Sequence, residues 1–136
     1  MKPISVPTIP LNDAIIRVTR FRDELVKQVP EMNIPRAILI PIYDLMAIVE
    51  KYTSVDDNGN ITYSIEGVRA YFDIKITDEL LPNDITALVV PVDLKGNDII
   101  TNSITGLGNP GDDSEIYDFT KPCPDQCDPE SPLYVP

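Results

Sequence analysis

The sequence predicts a single α+β domain, with two helices packed on one face of a mostly antiparallel sheet of four to five strands and an extended, proline-rich, acidic C-terminal tail. Two segments carry apolar residues at helical spacing. A later segment alternates strictly between apolar and polar residues, which is typical of an antiparallel sheet with one face in water. The length of 136 residues, with 43% hydrophobic and 24% charged residues, fits one globular domain.

The first helix is predicted from about Leu11 to Val29, where Pro30 stops it. Its apolar stripe consists of Leu11, Ile15, Val18, Phe21 or Arg22, Leu25 and Val29. The short apolar run at 36–40 predicts a buried strand. Pro41 suits the first turn of the second helix, which is predicted from Ile42 to about Tyr52.

The remaining strands are predicted from alternation and from the turns between them. Residues 61–65 follow a polar turn and alternate, and residues 85–92 form a more uniformly apolar strand that is at an edge or bulged at Pro91. A short last strand is expected at 99–101. The clearest strand is Val68–Ile76. Its core face is predicted to hold Val68, Ala70, Phe72, Ile74 and Ile76, and its water face Arg69, Tyr71, Asp73 and Lys75.

The division of the chain is predicted near residue 108, with the domain at 1–108 and the tail at 109–136. The tail holds six of the 14 prolines and seven acids against one lysine, which makes it unsuited to a helix or a central strand. Five large apolar residues favour a tail docked on the domain over a disordered acidic arm: Ile116, Tyr117, Phe119, Leu133 and Tyr134. In the docked arrangement Tyr117 and Phe119 are expected to be buried.

Charge and composition exclude several classes of function. The balance of 11 basic and 22 acidic residues, a net charge of −11, argues against nucleic acid and anionic membrane as partners. The absence of histidine removes the usual general base and the commonest metal ligand. The N-terminal residues resemble no Sec signal, and no apolar run reaches the roughly 20 residues of a membrane span. A cytoplasmic protein without a cofactor is therefore expected, although a dedicated secretion system could export it.

Cys123 and Cys127 are the first candidate site, in a proline-rich loop. The pair is compatible with ordinary thiols, a disulfide, a metal site or a redox pair. A metal site within one chain would need carboxylates such as Asp125 or Asp128, because no third cysteine exists. Acidic neighbours raise the pKa of a thiol, which argues against a reactive thiolate.

Two loops resemble known binding motifs in sequence but lack the neighbouring residues that those motifs need. The Gly106–Gly111 run matches the dinucleotide-binding letters, but Pro110 and the acids that follow are unfavourable for phosphate. The Ser54–Asn60 loop resembles the start of a calcium loop, yet the position that needs a bidentate glutamate is Ile65. A linker and a turn are the better interpretations.

Three surfaces are candidates for protein interaction. One is the basic face of the first helix, with Arg17, Arg20 and Lys27, which is either a solvated face or a dock for an acidic partner, including the chain's own tail. The others are the water face of the clearest strand, with Arg69 and Tyr71, and the tail, with its anchors Tyr117 and Phe119.

The later half of the chain carries a distinctive set of short motifs. They are Gly67-Val68-Arg69-Ala70-Tyr71-Phe72, Leu88–Asp93 with Gly96-Asn97-Asp98, Ile116–Pro124, Cys127-Asp128 and Ser131-Pro132-Leu133. This pattern resembles a group of small uncharacterised bacterial proteins with an RAY strand and a C-terminal YDF-PCP-CD-SPL segment. The resemblance implies a shared fold and carries no established activity or site residue.

The favoured function is therefore a non-enzymatic protein-interaction or structural accessory protein that binds a protein partner or a second copy of itself. The rival hypothesis is a small enzyme or ligand binder that uses carboxylates in a pocket between helices and sheet. No catalytic residue is predicted, because no carboxylate pair is placed across a cleft by the sequence.

Overall fold

Helices and antiparallel strands make up the regular structure of the computed structural model, which describes residues 6–28, 35–75, 84–101, 114–123 and 127–136. The helices are α1 (Leu11–Val26) and α2 (Ile42–Lys51). The strands are β1 (Ile38–Leu39), β2 (Thr53–Val55), β3 (Ile61–Tyr63), β4 (Ile65–Lys75), β5 (Asp84–Asp93) and β6 (Lys121–Pro122). The predicted α+β class is confirmed. That both helices pack on one face of a sheet stays a prediction.

Each helix begins directly after a proline, at Pro10 for α1 and at Pro41 for α2. Proline fits there because its ring fixes the backbone angle and the missing N–H would have no partner in the helix. The first helix ends at Val26, earlier than the predicted Val29, because the Gln28 N–H bonds to Leu25 in a tight turn.

The strands do not form the single sheet predicted. Among the described residues they pair as three two-stranded antiparallel sheets: β1 with β6, β2 with β3, and β4 with β5. The β4–β5 hairpin is by far the longest, with Val68 opposite Pro91 and Lys75 opposite Asp84. The other pairings are two or three residues long, because closely spaced turns and prolines interrupt the chain.

Three further segments differ from the predicted strands and tail: the tail near Tyr117, the segment at 99–101 and the segment at 36–40. Val89 exchanges two backbone hydrogen bonds with Tyr117, each 2.9 Å long. The predicted strand at 99–101 is instead one isolated bridge, Thr101 with Ser114, and a second bridge joins Val92 to Asp98 just before it. The predicted buried strand at 36–40 shortens to β1, and Leu39 within it is 47% exposed.

The buried core lies around β5. Its buried residues are Thr86, Ala87, Val89, Val90, Pro91 and Val92. Ile48 from α2, Ile65 from β4, and Cys123 and Val135 from the tail are also buried. Two of the buried apolar side chains, those of Cys123 and Val135, therefore belong to the tail.

Candidate functional site

Among the residues that the structure describes, the most enclosed polar cluster surrounds the carboxylate of Glu115, a tail residue that is only 1% exposed. Lys51 forms an ion pair with one carboxylate oxygen. The other oxygen accepts hydrogen bonds from the Tyr52 hydroxyl, at 3.1 Å, and from the Tyr117 hydroxyl. We call Glu115, Lys51, Tyr52 and Tyr117 the Glu115 cluster.

Two elements build this cluster. Lys51 is the last residue of α2 and Tyr52 follows it, so both reach the tail from the C-terminal end of the helix. The tail is extended there, and the Glu115 N–H bonds to the Ile100 carbonyl while Tyr117 pairs with Val89. Residues two apart in an extended chain point to the same side, which brings the Tyr117 hydroxyl to the Glu115 carboxylate.

The cluster keeps Glu115 ionised and its tyrosines protonated. Burial opposes the charge on Glu115, but the bonds from Lys51, Tyr117 and Tyr52 outweigh burial and hold the pKa of the carboxyl below its ordinary value. Burial, and then the hydrogen bond to Glu115, raises the pKa of both Tyr52 and Tyr117 to about 12. A general base needs a free lone pair and a pKa near the working pH, so this arrangement suits a structural role better than catalysis.

An open groove of about 440 Å³ lies beside the Glu115 cluster. It is lined by Asp44, Ala47, Ile48, Lys51, Tyr117, Asp118 and Phe119. The lining is mostly apolar, with Lys51 and two carboxylates as charged groups. A small molecule carrying both an apolar part and an amine or carboxylate has the chemistry to fit it.

Tyr117 and Phe119, the predicted tail anchors, are half-buried rather than buried, and both line this groove. The prediction that they are the buried anchors is wrong. The buried residues of this segment are Glu115, Thr120 and Cys123. Thr120 holds the tail because its hydroxyl donates to the Ala87 carbonyl, at 2.8 Å, and accepts from the Ala87 N–H, at 3.2 Å.

A second groove, of about 330 Å³, contains the cysteine pair. Cys123 and Cys127 form a disulfide, one of the alternatives that the sequence left open. A bridged pair offers no thiolate, so metal binding stays a prediction for the reduced pair. No group of three or more His, Cys, Asp or Glu residues within the described ranges is arranged to hold a metal ion.

Two arginines clamp the last residues of the tail. Arg36 donates to the Val135 carbonyl and lies over the Tyr134 ring, with its guanidinium carbon 3.8 Å from the ring centroid. Arg22, from α1, is 6% exposed and its Nε donates to the Pro136 carbonyl at 3.4 Å. These two contacts attach the final tail residues to α1 and to the segment before β1.

The basic face of α1 is separate from this clamp. Arg17, Arg20 and Lys27 are exposed. Lys27 lies 3.2 Å from Glu24, and both side chains are 66% exposed, as expected of a solvated helix face. The contact between α1 and the tail is made instead by Arg22, on the opposite side of the helix.

Arg69 and Tyr71 lie side by side on one face of β4, and the structure brings both to Asp98. Arg69 forms an ion pair with one Asp98 oxygen, and the Tyr71 hydroxyl donates to the other. Asp98 follows the tight turn after β5, where Gly96 has a φ of +89° that favours glycine. The predicted water face is thus tied to the turn that follows β5.

The other face of β4 differs from the prediction. Phe72 is 76% exposed and Ile74 is 55% exposed, although both were expected to face the core. Their partners across the hairpin, Ala87 and Ile85, belong to β5, the strand that the tail covers. We call Val68, Ala70, Phe72 and Ile74 the β4 apolar row.

The loop that resembles the start of a calcium loop forms a turn. The Asp56 carboxylate accepts from the backbone N–H groups of Asn58 and Asn60, so it closes the turn between β2 and β3. Gly59 in that turn has a φ of +83°. The Gly106–Gly111 run lies outside the described residues.

The sequence analysis did not predict the tertiary contacts of three polar residues, Glu115, Arg22 and Arg36. Arg22 had a signal, because it falls within the apolar stripe of the first helix. Glu115 had a weaker one, its spacing of two from Tyr117 in an extended segment. Arg36 had none, because its partners are nearly a hundred residues away.

No helix within the described ranges is long and apolar enough to cross a bilayer. No protein-family model matches the chain, and no curated protein or solved structure compared with it matches either. The resemblance to the small bacterial proteins with a YDF-PCP-CD-SPL segment therefore stays a prediction.

Proposed function

We propose that this chain is a non-enzymatic interaction or structural accessory protein that binds another protein chain along β4. The observation that carries the proposal is the β4 apolar row, in which Phe72, Ile74 and Val68 are 76%, 55% and 38% exposed. Exposed apolar residues in a contiguous row are characteristic of protein-binding surfaces. Tyr71, 45% exposed on the other face of the same strand, adds a residue type that is enriched in interfaces.

The Glu115 cluster supports this proposal because its carboxylate is already bonded by donors of the protein. Lys51 and Tyr52 bond Glu115 from the end of α2, and Tyr117 bonds it within the tail. Because these three donors surround a carboxylate that is only 1% exposed, it has no free role in acid–base chemistry. The strong acidity of the chain, with a net charge of −11, favours a protein partner over nucleic acid.

Affinity capture tests the proposal with the full chain as bait. Phe72→Glu places a charge in the β4 apolar row, and Phe21→Glu is the matched control, because Phe21 is 50% exposed on α1. We expect proteins retained by the wild type and by Phe21→Glu to be lost with Phe72→Glu. Equal retention by all three baits would contradict the proposal.

A second candidate function rests on the groove beside the Glu115 cluster, with its volume of about 440 Å³ and its charged groups Lys51, Asp44 and Asp118. A ligand binder of this kind would take a small amphiphilic molecule. Chemical-shift changes at Ala47 and Phe119 in a screen of such molecules would favour it. Their absence across the screen would favour the interaction protein.

The compartment of the protein is a related question. A cytoplasmic location is the proposal from sequence, whereas the Cys123–Cys127 disulfide is typical of proteins that function outside the reducing cytosol. Trapping free thiols in intact cells before lysis distinguishes the two, because a bridged pair does not react. A mostly bridged pair would contradict the cytoplasmic location.

A further inference from the structure

The groove that contains the cysteine pair lies where α1, the segment around β1 and the end of the tail meet. Its volume of about 330 Å³ falls at the lower end of the range for small-molecule sites, roughly 300–1,000 Å³. Most of the lining is apolar and comes from these separate segments: Val18, Ala37, Ile38, Leu39, Leu133 and the Cys123–Cys127 disulfide. This lining suits the apolar part of a small ligand.

Arg36 is the basic side chain of the groove lining. Its Nη1 donates to the Val135 carbonyl, and its guanidinium lies over the ring of Tyr134, which also lines the groove. Both partners are uncharged, and no carboxylate of the described residues forms an ion pair with Arg36. Because a guanidinium has five N–H donors, Arg36 keeps donors and a full positive charge for a second acceptor.

Arg22 brings a second positive charge to the same place. It lies one turn after Val18 on α1, on the face that lines the groove. Its Nε donates to the carbonyl of Pro136, the residue that follows the partner of Arg36. Arg22 is 6% exposed, and its Nη1 bonds no acceptor among the described residues. A buried charge without a counter-charge is unfavourable, and an anion bound nearby relieves that cost.

We propose that this groove binds a small apolar carboxylic acid, with its carboxylate at Arg36 and its apolar part along the apolar lining. The charge of Arg22 adds to the positive potential at Arg36. A carboxylate presents two oxygens that match the N–H fork of a guanidinium. Phosphate also matches the fork but lacks the apolar part that the lining favours. Binding along β4, the proposed function, does not use this groove, so the two proposals stand or fail separately.

Asp128 is the acidic side chain of the lining and opposes an acid. Its Oδ1 accepts from the Glu130 N–H at 3.2 Å, so the carboxylate takes part in the turn that follows the disulfide. Two guanidinium charges stand against this single carboxylate. Asp128→Asn keeps an oxygen acceptor for the turn and removes the opposing charge, which makes it a sharp test of the sign of the ligand.

The first test compares acids with neutral molecules of the same shape. The full chain is titrated with hexanoate and phenylacetate, and with hexanamide and phenylacetamide, while backbone chemical shifts are followed. We expect an acid to shift Val18, Ala37 and Leu133 saturably, and its amide to bind about tenfold more weakly. Ala47 and Phe119, which line the other groove, should not respond.

Two outcomes of this titration would overturn the proposal. One is equal binding of each acid and its amide, which would show that no charge is recognised. The other is the absence of saturable shifts with both acids. Inorganic phosphate and acetate distinguish an anion site from a site for an apolar acid, since both should bind more weakly than phenylacetate. Equal binding of phosphate or acetate would overturn the apolar part of the proposal.

The second test changes the charges of the groove. We expect Arg36→Gln to weaken phenylacetate about tenfold, to the level of the amide, and Asp128→Asn to tighten it about threefold. Arg17→Gln, at an exposed position on α1, is the control and should bind as the wild type does. Because Arg36 also holds the end of the tail, amide binding by Arg36→Gln shows whether the groove is intact. If that binding is lost, Asp128→Asn decides, and unchanged or weaker binding of phenylacetate by it would overturn the proposal.

Discussion

Lys51 and Glu115 form an ion pair across 64 residues of sequence, and this pair joins the C-terminal end of α2 to the tail. The carboxylate is 1% exposed, whereas the Lys51 side chain is 38% exposed and keeps part of its hydration. Because the Glu115 carboxylate is shielded from water, its charge must be stabilised by hydrogen-bond donors of the protein. Besides Lys51, these donors are the hydroxyls of Tyr52 and Tyr117. The cluster is thus a structural joint between domain and tail.

Replacing Glu115 is expected to destabilise the chain strongly. Glu115→Ala leaves two half-buried tyrosines and a partly exposed lysine without their acceptor, which costs about 2 kcal/mol of unfolding free energy. Urea denaturation measures the loss. Glu50→Ala, an exposed glutamate of α2, is the control and should change the unfolding free energy by less than about 0.5 kcal/mol. A similar small change for Glu115→Ala would show that the cluster is not a joint.

Alkaline solution is expected to weaken the same joint. Tyr52 and Tyr117 have a pKa of about 12 in the fold against an ordinary 10.0. A group whose pKa is raised by folding stabilises the fold fully below its ordinary pKa, and that stability is lost as the pH rises through the raised pKa. The unfolding free energy should therefore fall between pH 10 and pH 12.

The matched variants separate the cluster from general alkaline unfolding. Tyr52→Phe and Tyr117→Phe should each flatten the decline, while Tyr43→Phe, at an 88% exposed tyrosine, should leave it unchanged. Phenolate absorbance followed with the unfolding signal provides the measurement. Identical declines in all variants would contradict the assignment.

The sequence predicted local structure better than it predicted contacts. The helical periodicity predicts a helix from about Leu11, and Pro41 predicts one from Ile42, and both starts match the structure. Alternation located β4 correctly, because a period of two follows from strand geometry alone. Local chemistry decides each of these features within a few residues.

The wrong predictions have a common physical cause. An apolar pattern shows which face of a strand or helix a residue lies on, but it does not show which other segment packs against that face. Phe72 alternates as a core residue does, yet no neighbour covers it in the described chain, since the tail packs on β5 instead. Conversely, Arg22 and Glu115 are buried because their partners come from distant segments. Burial of this kind depends on tertiary pairing, which no local window contains.

Loss of Arg36 is expected to loosen the end of the tail. Arg36→Ala removes the bond to the Val135 carbonyl and the contact with the Tyr134 ring, together about 1–2 kcal/mol. Hydrogen exchange at residues 133–135 should become faster, whereas residues 86–90 should change little. Arg17→Ala is the matched control, because Arg17 is exposed on α1. Unchanged exchange at 133–135 in Arg36→Ala would rule out the clamp.

The disulfide between Cys123 and Cys127 is expected to stabilise the tail modestly. The two cysteines are four residues apart, so the bridge closes a small loop and removes little entropy from the unfolded chain, about 2 kcal/mol in the loop-entropy model. Cys123 is nevertheless buried, and its N–H bonds to the Ala37 carbonyl at 2.8 Å, so the bridge lies where the tail meets the segment before β1. Reduction should therefore lower the unfolding temperature and speed hydrogen exchange at 120–123. The double variant Cys123→Ser with Cys127→Ser should behave like the reduced wild type and should not respond to reductant. A wild type whose unfolding temperature is the same with and without reductant, while its intact mass shows the bridge forming and breaking, would show that the disulfide does not hold the tail.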